Sequence, residues 1–132
     1  MKTSRRKFMT AASSLTLAAT TPILAMQQSK SMLVHHVFFW LKNPASKEDR
    51  SKLIEGIKTL EKIETVRMLH VGIPAGTEKR AVVDHSYSVS ELIFFDDVSG
   101  QNVYQEHPIH KAFVEKCAHL WDKVLVYDTM SA

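Results

Sequence analysis

The sequence has one cysteine, four glycines and four prolines in 132 residues, and these small numbers exclude several classes of protein. A single cysteine cannot form a disulfide within the chain, so the fold must depend on its apolar core. Cys117 lies among apolar residues at helical spacing, and we expect it to be a small core residue. The motifs GxxxxGK[ST], GxGxxG, CxxC and GxSxG are all missing. We therefore expect no cofactor and no acyl-enzyme chemistry.

Acidic residues are absent from residues 1–25, which contain Lys2, Arg5, Arg6 and Lys7. This segment holds four of the 17 Lys+Arg and none of the 14 Asp+Glu. The remainder therefore has 13 basic and 14 acidic groups, a formal charge of −1, against +3 for the whole chain. Binding to phosphates requires clustered basic residues, so we expect no nucleic-acid partner.

The same segment has the order of a secretory signal peptide, with a basic start, an uncharged stretch and a small residue at the end. Ser4–Met9 reads SRRKFM, close to the SRRxFL pattern of twin-arginine signals. The uncharged stretch is too short and too polar to span a bilayer of about 30 Å. The sequence predicts a twin-arginine signal peptide over 1–25 and a short tail over 26–31. We expect an exported protein, periplasmic or secreted, that is free of the membrane after cleavage.

Alternation and helical spacing predict a β-α-β-β-α-β order after the tail. Ser46, with Asp49 three residues later, is typical of a helix start. Ser99 can cap a second helical region, and Pro108 suits the first position of a further helix. The predicted strands cover 33–42, 65–71, 86–95 and 123–127, and the first helix covers 47–62.

This order is typical of an α+β ferredoxin-like domain, a four-stranded antiparallel sheet with two helices on one face. The first strand is apolar on both faces, although the helices can cover only one of them. The other face would expose Phe38, Trp40, Leu92 and Phe94, or else the residues that alternate with them on the opposite face. Large apolar patches on soluble proteins mark interfaces, so burial alone predicts a homodimer through this face, forming a dimeric α/β barrel.

Three sequence blocks resemble the stress-responsive dimeric α/β barrel (Dabb) domain family over residues 32–129. They are His35 followed by Lys42, the block Tyr104-x-x-His107-Pro108-x-His110, and Trp121–Asp128. The second block is the most specific. The resemblance implies the same dimeric ferredoxin-like barrel that the burial argument predicts.

The chain also resembles the plant polyketide cyclases of this family, without a gap from about Phe95 to Asp128. This resemblance implies that their catalytic tyrosine and histidine fall on Tyr104 and His110, and their first-strand histidine on His35. It implies an intramolecular aldol condensation in which the histidine is the base and the tyrosine polarises a carbonyl. Val89 stands where the cyclases have a third-strand histidine, so the lining of the cavity differs here.

Two further groups have open interpretations. Glu91 lies in an apolar strand, and burial would raise its pKa. It could pair with His35 or His110, or with a lysine at the sheet edge, which is the commoner arrangement. His107 and His110 have a spacing that could bind a metal, but without a carboxylate we expect no metal site. We expect His107 to cap the helix that Pro108 begins.

Three hypotheses for the function remain. The first is an exported, stress-related protein that binds a small molecule between sheet and helices, with His35, Tyr104 and His110 as the polar groups. The second is a cofactor-free cyclase or related lyase that uses the same residues. The third is a structural or stress-protective homo-oligomer without a ligand. Fold alone does not choose between them.

Overall fold

The computed structural model describes residues 31–132, so the expected signal peptide lies outside the described residues. The strands are β1 (Leu33–Leu41), β2 (Met68–Gly72), β3 (Val89–Phe95) and β4 (Trp121–Met130), and the helices are α1 (Lys47–Lys58), α2 (Val98–Glu106) and α3 (Pro108–Cys117). Short 3-10 turns extend α1 over Thr59–Lys62 and α3 over Ala118–Leu120.

The four strands form one antiparallel sheet in the order β2-β3-β1-β4. The central strand β1 places His35 opposite Ile93 of β3 and opposite Asp128 of β4. This arrangement confirms the ferredoxin-like α+β fold. The arrangement also places β4 beside β1, and the contact between His35 and Asp128 depends on this pairing.

Local chemistry explains where the helices begin. The Ser46 hydroxyl accepts from the backbone N–H of Asp49, so the predicted cap of α1 is confirmed. The predicted cap at Ser99 is wrong, because the Asp97 carboxylate accepts from the N–H of Gly100 and α2 begins at Val98. Asp97, two residues after the end of β3, thus caps the helix that follows directly.

A break at His107 divides the second helical region into α2 and α3. His107 is extended, with ψ of 138°, as the proline that follows it requires. Its Nδ1 accepts from the N–H of Ile109, which confirms the predicted cap. The fold therefore has three α-helices where the simplest ferredoxin-like pattern has two.

The core lies between the helices and one face of the sheet. In β1 the odd-numbered residues are buried and the even-numbered ones are only half-buried, so the helices cover the odd-numbered face. Leu53 and Ile57 of α1 are completely buried against it, each stabilising the fold by about 1.5–3 kcal/mol. Cys117 is buried and free, as predicted.

Among residues 31–132, no helix covers the opposite side of the sheet, which is strongly aromatic. We call it the helix-free face. The side chains of Phe38 and Tyr87 contact edge to face at 4.9 Å between ring centroids, and Lys123 lies over the Trp40 ring. The face includes Val34, His36, Phe38, Trp40, Met68, His70, Tyr87, Ser90, Leu92, Phe94, Lys123, Leu125, Tyr127 and Thr129.

α1 lies close to α3 at Gly56. A Cβ atom at this position would lie 2.5 Å from Cys117 Sγ and 3.1 Å from a Phe113 ring carbon. We expect Gly56→Ala to lower the free energy of unfolding by about 1–3 kcal/mol through overpacking, despite the roughly 1 kcal/mol that alanine gains in helix propensity. Urea unfolding measures this, with Gly76→Ala as the control because nothing lies within 4 Å there. Equal stability of Gly56→Ala and wild type would contradict the close crossing.

Within residues 31–132, none of the helices combines the length and the apolar character that a membrane span needs.

Candidate ligand pocket

A half-open cavity of about 160 Å³ lies between the helix-covered face of the sheet and the helices α2 and α3. An apolar cavity of about 150 Å³ is large enough for benzene, so a single ring or a chain of similar size fits here. Four titratable side chains stand among its mostly apolar walls. The lining comprises His35, Val37, Phe39, Glu91, Tyr104, Gln105, His110, Phe113, Val114, Trp121, Val124 and Val126.

The structure brings His35, Tyr104 and His110 around this one cavity. The ring centroids of Tyr104 and His110 are 4.6 Å apart, and those of Tyr104 and His35 are 5.6 Å apart. The break at His107 allows Tyr104 and His110 to meet, because it turns α3 relative to α2. The His110 ring of α3 then lies against the Tyr104 ring of α2. Val89 is completely buried in the core and is not part of the cavity lining.

His35 is oriented by the last strand. Its Nδ1 lies 2.6 Å from Asp128 Oδ1, and a carboxylate only accepts, so Nδ1 carries the hydrogen and Nε2 is the acceptor of the neutral ring. The Gln101 amide donates to Asp128 Oδ2 at 3.3 Å. Sequence reasoning missed Asp128 and also Gln101, whose amide nitrogen lies 3.2 Å from His35 Nδ1. Asp128 is the last residue of the Trp121–Asp128 block, but its pairing with His35 follows only from the register between β1 and β4.

Glu91 makes a contact that sequence reasoning missed. It pairs with neither a lysine nor a histidine, because the Tyr104 hydroxyl donates to Glu91 Oε1 at 2.6 Å. The expected pairing of Glu91 with a lysine at the sheet edge is therefore wrong, as is the alternative pairing with His35 or His110. Glu91 is 1% exposed, and burial raises its pKa to about 7, against a smaller opposing effect of the bond from Tyr104.

The pKa values of the other two groups follow from the same environment. Burial raises the pKa of Tyr104 above its usual range, and the neighbouring Glu91 carboxylate raises it further. Burial lowers the pKa of His110, and the nearby His35 lowers it further. His110 is therefore a neutral imidazole at neutral pH, with a nitrogen available to accept a proton.

His107 is not part of the cavity lining. Its Nε2 lies 3.1 Å from Glu64 Oε2, while its Nδ1 caps α3. Among residues 31–132, no group of three or more His, Cys, Asp or Glu side chains is arranged to hold a metal ion.

Solved structures with this architecture support the class of protein that the fold and pocket define, a ferredoxin-like domain of the dimeric-barrel type. One is a dimeric ferredoxin-like protein of unknown function from Bacteroides fragilis, with 22% identity, 74% of this chain and 94% of that chain covered, and a TM-score of 0.58. Another is a hydroxynitrile lyase from Passiflora edulis, with 18% identity, 78% and 95% coverage, and a TM-score of 0.65. At these identities the likeness concerns the fold alone.

A Dabb family protein from Mesorhizobium loti is 26% identical, with 77% of this chain and 98% of that chain covered and a TM-score of 0.62. The family model of the stress responsive A/B barrel domain, Dabb, matches residues 33–131. The chain therefore belongs to the Dabb family. No curated protein sequence matches it.

Proposed function

We propose that this protein binds a small molecule in the cavity between its sheet and helices α2 and α3. The observation that carries the proposal is the combination of an open apolar cavity with His35, Glu91, Tyr104 and His110 in its walls. Ligand sites typically combine apolar walls with a few convergent polar groups. A filled structural core would have no need of four titratable side chains in one cavity.

The walls indicate the chemistry of the ligand. Phe39, Phe113 and Trp121 form a cluster of aromatic rings along one side, which suits an aromatic ring or a short alkyl chain. The Tyr104 hydroxyl and the His110 ring together suit a ligand with one oxygen-containing group. The ligand we propose is a ring-sized carbonyl or hydroxyl compound.

A second function, a cofactor-free lyase or cyclase, rests on the neutral His110 ring beside Tyr104. A neutral imidazole can take a proton α to a carbonyl while a hydroxyl donor stabilises the oxygen. The hydroxynitrile lyase with this fold shows that the architecture can hold a lyase. The third hypothesis, a homo-oligomer without a ligand, leaves the open cavity unexplained.

Acetophenone is a suitable probe, because it has one ring and one carbonyl. At about pH 6, where the Glu91 carboxyl is protonated and Tyr104 can donate to the carbonyl, we expect Tyr104→Phe to weaken binding of acetophenone about 5- to 10-fold, the effect of one lost hydrogen bond. His110→Ala should abolish any exchange of the methyl hydrogens, because it removes the base. Calorimetry measures the binding, and NMR in D₂O measures exchange of the methyl hydrogens, which only the enzymatic function accelerates. The matched controls are Tyr127→Phe and His119→Ala, both exposed and outside the cavity. Unchanged binding in Tyr104→Phe at this pH would contradict the cavity as the site.

Two further parts of the proposal concern the whole protein. The basic, acid-free segment 1–25 supports export by the twin-arginine route, and the family's description supports a stress-related role. The helix-free face and the dimeric state of the Bacteroides fragilis structure support a homodimer formed through that face.

A further inference from the structure

Glu91 is the buried acid that the pocket's proposed roles leave unused. It lies in the middle of the sheet, opposite Val37 of β1 and Val71 of β2, which offer it no polar group. Its carboxylate takes part in none of the ion pairs of the described residues. A buried carboxylate without a cation is costly, so its one short hydrogen bond with Tyr104 requires an explanation.

The titratable and charged groups around Glu91 are few. His35 of β1 is one of them, and it is hydrogen-bonded to Asp128 of β4. The others are Tyr104 of α2 and His110 of α3. Helix α1 contributes apolar side chains such as Leu53 and Ile57. Tyr104 is the one that bonds Glu91 directly, so the protonation of Glu91 acts first on the Tyr104 hydroxyl.

The two protonation states of Glu91 require different arrangements of this bond. An ionised carboxylate can only accept, so the Tyr104 proton points to Glu91 and the phenol oxygen offers lone pairs to the cavity. A protonated carboxyl can donate its own hydrogen to the Tyr104 oxygen. The hydroxyl proton of Tyr104 can then turn toward the cavity. The proton that Glu91 takes up comes from solvent through the half-open cavity, and an O–H bond on the carboxyl is the single bond formed.

We propose that Glu91 is a positioning residue that sets the direction of the Tyr104 hydroxyl proton and thereby the ligand class of the pocket. Ionised Glu91 makes Tyr104 an acceptor, which favours a ligand with a hydroxyl group. Protonated Glu91 makes Tyr104 a donor, which favours a ligand with a carbonyl oxygen. The ligand preference rests on the proposed small-molecule binding function. The direction of the Tyr104 hydroxyl proton is independent of that function.

The first test needs no ligand. Tyrosine labelled with ¹³C at the ring carbon that bears the hydroxyl gives one NMR signal for each of Tyr87, Tyr104 and Tyr127, assigned by Tyr→Phe variants. We expect the Tyr104 signal of the wild type to titrate near neutral pH. It should not titrate there in Glu91→Gln, whose side chain has no titrating proton. His110→Asn is the matched control, because it removes the neighbouring imidazole and should leave the titration in place.

The second test compares acetophenone, phenol and toluene as probes. In the wild type we expect acetophenone to bind about 5-fold more tightly, and phenol correspondingly less tightly, as the pH falls from about 8 to about 6, the effect of one hydrogen bond gained or lost. Toluene should show no such change. The opposite trends of acetophenone and phenol should both disappear in Glu91→Gln.

The outcomes separate this inference from the binding function. A Tyr104 signal that is flat near neutral pH, or that titrates equally in Glu91→Gln, overturns the inference even if the probes bind. Titration as expected without binding of any probe supports the proton's direction and sinks the small-molecule function. Binding whose pH dependence is the same for acetophenone and phenol overturns the ligand preference.

Discussion

As the pH rises from about 4.5 to about 7, the free energy of unfolding of the wild type should fall by roughly 3 kcal/mol more than that of Glu91→Gln. The Glu91 carboxyl ionises near 4.5 when exposed and near 7 in the folded protein. Between these values the folded state holds a proton that the unfolded state has lost, so raising the pH favours unfolding. The stabilisation is fully present below about 4.5 and is lost as the pH passes about 7.

Urea unfolding across this pH range checks the expectation. Glu115→Gln serves as the matched control, because Glu115 is exposed on α3 and its replacement should leave the pH dependence as in the wild type. Other carboxylates titrate equally in wild type and variant, so the difference between the two curves isolates Glu91. Parallel curves for wild type and Glu91→Gln would show that the Glu91 carboxyl does not hold its proton in the folded protein.

A second large effect is expected on the helix-free face, where Phe38→Asp should convert the proposed dimer to monomers. Phe38 lies at the centre of this face, beside His36 and Tyr87. It borders a hollow of about 140 Å³ that a partner's side chain would fill. Burying an unpaired carboxylate in an apolar contact costs several kcal/mol. A twofold interface contains the change twice, so we expect the dissociation constant to rise at least about 10³-fold.

Sedimentation measures this at several protein concentrations. Val98→Asp is the control, since Val98 is 51% exposed on the helical side of the molecule and should leave association unchanged. Tyr127→Asp places the charge on the edge strand, where Tyr127 is 57% exposed, so it tests the same face with less risk to the fold. A wild type that is monomeric at all concentrations would contradict the dimer.

The faces of the sheet were predictable because strand geometry is periodic. Alternation along β1 predicts which residues share a face, and the structure shows that the covered face is the one with His35, Val37 and Phe39. The starts of α1 and α3 followed from short-range chemistry in the same way, as the caps at Ser46 and His107 show, whereas Asp97 caps α2 in place of the predicted Ser99. Such features depend on neighbours within a few residues, so sequence alone contains them.

Features that depend on pairing between distant segments were harder to predict. β4 runs from Trp121 to Met130, beyond the predicted 123–127, because backbone pairing with β1 extends past its apolar centre. The bonds from Tyr104 to Glu91 and from His35 to Asp128 join different elements. Their partners follow from the three-dimensional arrangement of strands and helices, which no local pattern specifies.

The cavity and the helix-free face lie on opposite sides of one sheet, as the alternation along β1 requires. His35 faces the cavity, while its neighbour His36 points the other way. A dimer joined through the helix-free faces would therefore keep its two binding chambers outermost, each built from a single chain and neither completed by its neighbour. Ligand titrations should then saturate at one molecule per chain.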